Sequence, residues 1–295
     1  MKILLLGKNG QVGWELQRAL APLGELVAWD RTLADLADPL ALAARVEEIK
    51  PQIIVNAAAY TAVDKAESEA ETAFAVNASS PARLAEEAAR LGAWLVHYST
   101  DYVFDGSRTG AYREADGANP LSVYGRSKWQ GEEGIRAAGC RHLIFRTSWV
   151  FGARGGNFLK TMLRLAAERE QLRVVADQMG APTGAELLAD VTAHCLRDAL
   201  HPGGEELSGT YHLTANGAVS WHGYARYVVE RAWAAGLLLR CRPEDIVPIS
   251  TAEYPLPAPR PANSCLDTSR LQERFGLALP DWRMGVDRVL DEILL

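Results

Sequence analysis

The chain has 295 residues and a formal net charge of −6, and no long basic run offsets that deficit, which argues against general nucleic-acid binding. Its 48% hydrophobic and 23% charged residues are ordinary for a soluble globular protein, with length enough for one large or two smaller domains. Four cysteines at 140, 195, 241 and 265 form no C-x-x-C pair, which disfavours structural zinc and points to a reduced, cytoplasmic protein.

The first predicted element is a buried strand over 2–6 (KILLL), too short for a signal peptide or a membrane span. It runs into Gly7-Lys-Asn-Gly10-Gln-Val-Gly13 and a helix near 11–21. Glycines at such a turn let the backbone approach a pyrophosphate, which sits on the N–H groups of the following helix. A second strand over 25–29 ends at Asp30, where an acid accepts hydrogen bonds from an adenosine ribose and repels a 2′-phosphate. Arg31 beside it is suited to holding that phosphate, so the choice between NADH and NADPH stays open. A helix near 39–50 and a strand over 52–55 lead to Asn56-Ala-Ala-Ala-Tyr60-Thr61, whose small residues permit close approach of a cofactor.

A helix over 78–91, dense in strong helix formers, precedes a strand over 93–98. That strand opens into Ser99-Thr100-Asp101-Tyr102 on the same sheet edge, with His97 just before it read as a strand residue. A helix near 121–138 carries Tyr124 and Lys128 at i and i+4, on one face. A phenol titrates near ~10, and a neighbouring Lys⁺ favours the phenolate and moves it towards the useful range. With a hydroxyl from the Ser-Thr-Asp turn these residues form a Ser/Thr–Tyr–Lys constellation, tyrosine as proton donor and lysine as ribose anchor. A strand over 141–146 follows.

Near-continuous apolar strands separated by helices predict an α/β fold, a doubly wound (Rossmann) parallel sheet covered on both faces. A helix near 157–169 and a strand over 172–175 are expected to continue the sheet, then a helix near 184–199 and a strand over 210–213. Beyond about 216 come helices near 220–235, 268–275 and 284–294, with a Pro-rich connection over 255–261. The expected division is a NAD(P)H-binding domain over 1–215 and a smaller substrate-binding domain over 216–295. The smaller domain would cap the carboxyl edge of the sheet, with parts of 149–158 and 177–184 facing the substrate.

The segments GKNGQVGWELQRAL, IVNAAAYTAVDKAESE, HYSTDYVFDG, NPLSVYGRSKWQGE, FRTSWVFG, DQMGAPTGAELLAD and RPANSCLDTSRL resemble the extended short-chain dehydrogenase/reductases. Within them the chain is similar, in register over nearly its whole length, to the dTDP-4-dehydrorhamnose reductase family. The resemblance implies Thr100, Tyr124 and Lys128 as a catalytic triad. It implies Gly10, Gln11, Val12, Asp30, Asp35, Leu36, Ala59, Tyr60 and Thr61 as cofactor contacts, beside Gly7 of the turn, and Thr100, Asp101 and Trp149 as substrate contacts. Arg260 in the Pro-rich stretch is a further candidate for the diphosphate.

The implied reaction reduces the C4 ketone of dTDP-4-dehydro-6-deoxy-L-mannose to dTDP-L-rhamnose with NADPH or NADH, the last step of dTDP-rhamnose synthesis. The implied partner is thus a small dTDP-sugar, with neither nucleic acid nor membrane. Family members that are dimers bridged by Mg²⁺ point to Glu15 and Glu186 as oxygen ligands, although solvation is the blander reading of a Glu on an exposed helix face. The six histidines show no ligand spacing.

Two rivals use the same fold. A sugar-nucleotide epimerase or dehydratase is one, but a dehydratase places an Asp-Glu pair after the Thr, and here Asp101 is followed by Tyr102. The other is a non-catalytic regulatory subunit of the methionine adenosyltransferase type, which an intact Thr100, Tyr124 and Lys128 set disfavours.

Overall fold

Alternation of side chains along each apolar run decides the architecture. In the computed structural model, which describes residues 1–294, Ile3 and Leu5 enter one apolar layer while Leu4 and Leu6 enter the other. Ile53 and Val55 divide from Ile54, and Leu143 and Phe145 from Ile144, in the same way. A strand buried on both faces needs helices on both sides, and the chain supplies them.

In order the elements are β1 (Lys2–Leu6), α1 (Gln11–Leu20), β2 (Glu25–Trp29), α2 (Pro39–Ile49) and β3 (Ile53–Asn56). Two short helices follow, α3 (Val63–Ala66) and α4 (Ala70–Phe74), and a π-helical turn (Ala75–Ser79) runs into α5 (Ser80–Leu91). Next come β4 (Trp94–Thr100), α6 (Val123–Ala137), β5 (Arg141–Thr147), β6 (Val150–Phe151), α7 (Phe158–Glu168) and β7 (Leu172–Val175). Then β8 (Met179–Gly180), β9 (Thr183–Gly184), α8 (Ala185–Ala199), β10 (Gly209–His212), β11 (Val219–Ser220) and α9 (Trp221–Ala234). The chain closes with β12 (Ile246–Ile249), α10 (Ser269–Phe275) and α11 (Trp282–Leu294).

Six strands form one parallel sheet in the order β10-β5-β4-β3-β1-β2. Helices α1, α8 and α10 cover one face through Leu16, Leu188, Leu196, Leu271 and Phe275. Helices α2, α5 and α6 cover the other through Leu42, Val46, Leu84, Ala88 and Ile135. The strand order reverses direction at β1, which lies between β2 and β3, and such a switch point opens a crevice at the carboxyl ends of the strands. Register aligns those ends: Leu6 pairs with both Trp29 and Asn56, Asn56 with His97, and Thr100 with Thr147.

One expected strand goes elsewhere. β7 does not extend the sheet; it pairs with β12 in a separate two-stranded ribbon. Its middle residue Arg173 is exposed between buried Leu172 and Val174, which suits a strand with one wet face rather than a doubly covered one. Around this ribbon a second apolar cluster joins Phe151, Leu159, Met162, Leu172 and Val174 to Tyr224, Val228, Ile246, Trp282 and Val286. The packing therefore does not divide at residue 216. Segment 150–175 packs with the later part of the chain, while α10 returns to the main sheet, where Phe275 meets Tyr211 edge-on at 5.2 Å. Among the described residues no helix is long and apolar enough to cross a membrane.

Candidate active site

The switch point is shaped by backbone. Gly7 turns at φ 84°, a left-handed conformation that glycine adopts freely, and a Cβ there would lie 2.8 Å from the Ala58 nitrogen. A Cβ at Gly13 would collide with the Gly7 carbonyl, so this glycine lets α1 approach the turn. Gly10 caps α1 without any side-chain hydrogen bond, leaving the first amides of a ten-residue helix for a ligand.

These groups open on a cavity of about 850 Å³. Gly7, Gly10, Gln11, Val12, Asp30, Asp35, Leu36, Ala59, Tyr60, Thr61, Tyr124 and Lys128, the expected cofactor residues, all line it. Its volume and its glycine cradle fit a dinucleotide. Sequence reasoning missed Lys65 and Glu69 on the same wall, because α3 and α4 are too short to show a periodic pattern. There Tyr60 Oη donates to Glu69 (2.7 Å), whose other oxygen meets Lys65 (2.7 Å).

Asp30 is tied down by its neighbours. Thr32 donates to Oδ1 through its hydroxyl (2.6 Å) and its amide (3.0 Å), and Lys8 Nζ lies 3.4 Å from Oδ2. The Thr32 hydroxyl leads in lowering the carboxyl pKa to about 2. Arg31 turns away to Asp35 (3.5 Å), so the cation beside Asp30 is Lys8.

The chemical end is built by β4 and α6. Ser122 accepts the Gly125 amide (3.1 Å) and so starts α6 two residues before Tyr124. Thr100 Oγ1 accepts the Tyr102 amide (3.1 Å) and donates to Asp101 Oδ1 (2.9 Å). Burial pushes the Tyr124 phenol up to about 12, against a smaller opposing hydrogen bond with Thr100. This differs from the expectation that Lys128 draws the phenol towards neutrality. The Lys128 amine instead contacts the Tyr98 carbonyl (2.6 Å) and His97 Nε2 (3.2 Å), and burial brings its pKa down to about 8. The phenol is thus held protonated, as a proton donor must be.

Asp101 is 3% exposed, its pKa is raised to about 6 by burial, and its Oδ2 has no hydrogen-bond partner. Behind the site Glu132, fully buried on α6, accepts two bonds from Arg146 of β5 (2.9 and 2.7 Å) and one from Ser99 (2.6 Å). This pair fixes α6 against both strands that end at the site.

Trp149 sits at φ 47°, strained for a bulky side chain, with its ring stacked on Trp221 at 3.5 Å. One of its two flat faces is therefore covered by Trp221. Trp221 in turn lines a second cavity, of about 510 Å³, with Met162, Leu165, Arg169, Arg173 and Arg260. Nothing in the spacing of the tryptophans distinguishes Trp221. Arg260 grips Asp64 of α3 through two bonds (3.0 and 2.7 Å), strapping the Pro-rich segment across to the cofactor side.

Glu15 and Glu186 lie near enough to repel one another, but Glu186 is 8% exposed rather than on an open helix face. Glu15 is paired with Arg18 (3.6 Å). Among the described residues no three acidic, histidine or cysteine side chains converge as a metal site.

A doubly wound parallel sheet, with a glycine turn at its switch point and Thr, Tyr and Lys at the same edge, defines an NAD(P)H-dependent oxidoreductase of the extended short-chain dehydrogenase/reductase kind. The chain belongs to the RmlD substrate binding domain family, whose model matches residues 1–295. It is 53% identical to the dTDP-4-dehydrorhamnose reductase of Escherichia coli K12, over 99% of this chain and 98% of that protein. A dTDP-4-dehydrorhamnose reductase structure from Clostridium acetobutylicum superposes with a TM-score of 0.91 at 35% identity, covering all of both chains. The Bacillus anthracis reductase, solved in complex with NADP, gives a TM-score of 0.88 at 35% identity over 99% of both chains.

Proposed function

We propose that the chain reduces the C4 ketone of dTDP-4-dehydro-6-deoxy-L-mannose to dTDP-L-rhamnose with NADPH or NADH. The observation that carries this is the placing of Tyr124 and Lys128 on the wall of a cavity of about 850 Å³, in a chain 53% identical to a reductase of that name.

In this reading the α1 amides at Gln11 and Val12 hold the cofactor pyrophosphate, Asp30 and Lys8 meet the adenosine ribose, and Lys128 holds the nicotinamide ribose. When bound, the reduced nicotinamide supplies the hydride to the ketone carbon. Tyr124 passes its phenolic proton to the oxygen as negative charge develops there. Thr100, its Oγ1 held by the Tyr102 amide, turns its one hydroxyl proton from Asp101 Oδ1 to the same oxygen.

The second cavity would take the nucleotide of the substrate. Met162, Leu165 and Val175 offer an apolar floor for a pyrimidine, Trp221 an aromatic edge, and Arg169, Arg173 and Arg260 cations for a diphosphate. Trp149 and Asp101 would contact the sugar. The unit on the six-stranded sheet, with α10, then serves the cofactor, and the unit of 150–175 with α9, β12 and α11 serves the sugar nucleotide. A magnesium-bridged homodimer would have to draw its remaining oxygen ligands from a second chain; sedimentation with Mg²⁺ and with chelator tests it, and no step of the reaction depends on it.

The deciding experiment generates the ketosugar from dTDP-glucose with a dehydratase and a 3,5-epimerase, then follows oxidation of NADPH and of NADH. Stoichiometric oxidation with formation of dTDP-L-rhamnose supports the reading. Absence of oxidation with both cofactors sinks it.

A further inference from the structure

A single line of hydrogen bonds runs from β3 through β4 to Lys128. The Ala58 amide donates to Asn56 Oδ1 (3.2 Å), Asn56 Nδ2 lies 3.2 Å from His97 Nδ1, and His97 Nε2 lies 3.2 Å from Lys128 Nζ. Nζ then donates to the Tyr98 carbonyl (2.6 Å). Asn56, His97 and Lys128 are each 1% exposed, and Asn56 and His97 are direct partners in the sheet.

Donor and acceptor roles along this line are forced from one end. A backbone amide only donates, so Asn56 turns its oxygen to Ala58 and its NH₂ group to His97. His97 Nδ1 must accept, and burial, the leading cause of its lowered pKa, keeps the imidazole neutral. A neutral imidazole that accepts at Nδ1 carries its one proton on Nε2. That N–H points at Nζ and is satisfied only by a lone pair. With an ammonium at position 128, two donors would face each other at Nε2–Nζ. Shifting the imidazole proton, or flipping the amide, only moves that conflict to Asn56 or to Ala58.

We infer that Asn56 and His97 are positioning residues that hold Lys128 as a neutral amine in the unliganded enzyme, its lone pair resting on His97 Nε2–H. Burial already brings Lys128 to about 8 against the pull of Glu132, and the imidazole donor acts in the same direction. The surrounding charges leave this balance in place. Glu132, one turn along α6, is taken up by Arg146 from β5 and by Arg136. Asp101, in the turn after β4, bonds Thr100, and Glu67 beside α3 accepts the Val123 amide. The charged side chains of α5, Arg83, Glu86, Glu87 and Arg90, pair with one another.

The functional consequence rests on the role of Lys128 proposed above. A ribose hydroxyl that accepts from Nζ favours the ammonium, so loading with NADPH draws a proton onto Lys128. The group then carries its charge when the nicotinamide and the ketone are in place.

NMR of the whole protein tests the inference without turnover. In the wild type the His97 proton is expected on Nε2, and the Lys128 ¹³Cε resonance, assigned by its loss in Lys128→Met, should titrate below neutral pH, under the value of about 8 to which burial brings it. A proton on Nδ1, or a higher midpoint, overturns the inference. Asn56→Asp reverses the line, because the introduced carboxylate accepts from both Ala58 and His97 Nδ1–H and turns the Nε2 lone pair to Lys128. Its Lys128 midpoint should rise by about one unit, a tenfold change in proton affinity. An unmoved midpoint in a folded Asn56→Asp protein also overturns the inference, and the wild-type measurements stand if that variant does not fold. An enzyme inert towards the ketosugar with these resonances as expected would defeat the function and not the inference.

Discussion

Replacing Glu132 by Gln keeps the shape of the side chain and removes its charge, leaving the Arg146 guanidinium buried without a counter-ion. Glu132 is fully buried and Arg146 is 2% exposed, so water cannot take the carboxylate's place. Breaking such a pair on one side costs about 3–5 kcal/mol. An unfolding entropy of about 2 cal/mol/K per residue amounts to roughly 0.6 kcal/mol/K for a chain of this length, so Tm should fall by about 5–8 °C. Thermal unfolding followed by circular dichroism at neutral pH measures this.

Replacing both partners, Glu132→Leu with Arg146→Met, should restore most of the loss, since an apolar pair of similar volume has no charge to strand. Burial pushes the Glu132 pKa up, but the Arg146 hydrogen bond and charge, with Ser99 and Arg136, outweigh it and leave the folded value lowered. The stabilisation is therefore full above the ordinary carboxylate range and is lost as pH falls through the folded pKa. The wild type and Glu132→Gln should converge in acid. A neutral-pH Tm within about 1 °C of wild type would show that the pair does not hold α6 to the sheet.

Three further outcomes are expected. Tyr124→Phe should lower kcat by about 10²–10⁴-fold with NADPH affinity changed only slightly, and turnover within about threefold of wild type would remove the phenol as proton donor. Asp101 has a folded pKa raised to about 6, so it opposes folding increasingly as pH rises through about 4 to 6. Asp101→Asn should thus gain about 2 kcal/mol relative to wild type between about pH 4.5 and pH 7.5, and parallel stability curves would contradict the buried carboxylate. Lys8→Ala should raise KM for NADPH several-fold more than KM for NADH, because Lys8 is the cation in contact with Asp30; equal losses would place the 2′-phosphate elsewhere.

The parallel sheet and its carboxyl edge were legible because they depend on local pattern. Two-sided strands such as Ile3–Leu6, a glycine turn and an i, i+4 pair are all visible within short windows. What depended on long-range partners was not legible. β12 carries Pro248 at its centre, which argues against a strand until β7 is seen beside it. Trp221 gains its place through its stack with Trp149, 72 positions earlier by their numbering, and its contact with Phe158. The direction of pKa shifts was missed for the same reason. Spacing brings Tyr124 and Lys128 to one face, but burial and the contacts of Nζ with β4 decide what each proton does.

The return of α10 to the main sheet has a consequence for synthesis. Leu271 and Phe275 belong to the apolar layer that contains Tyr211 of β10 and Leu196 of α8, and they leave a ribosome only after every strand of that sheet. Until they emerge, part of that layer has no cover, although every strand of the sheet is already outside. The cofactor-binding half therefore cannot finish folding ahead of the rest, and a nascent chain halted before about residue 280 presents a bare apolar strip for chaperones to cover.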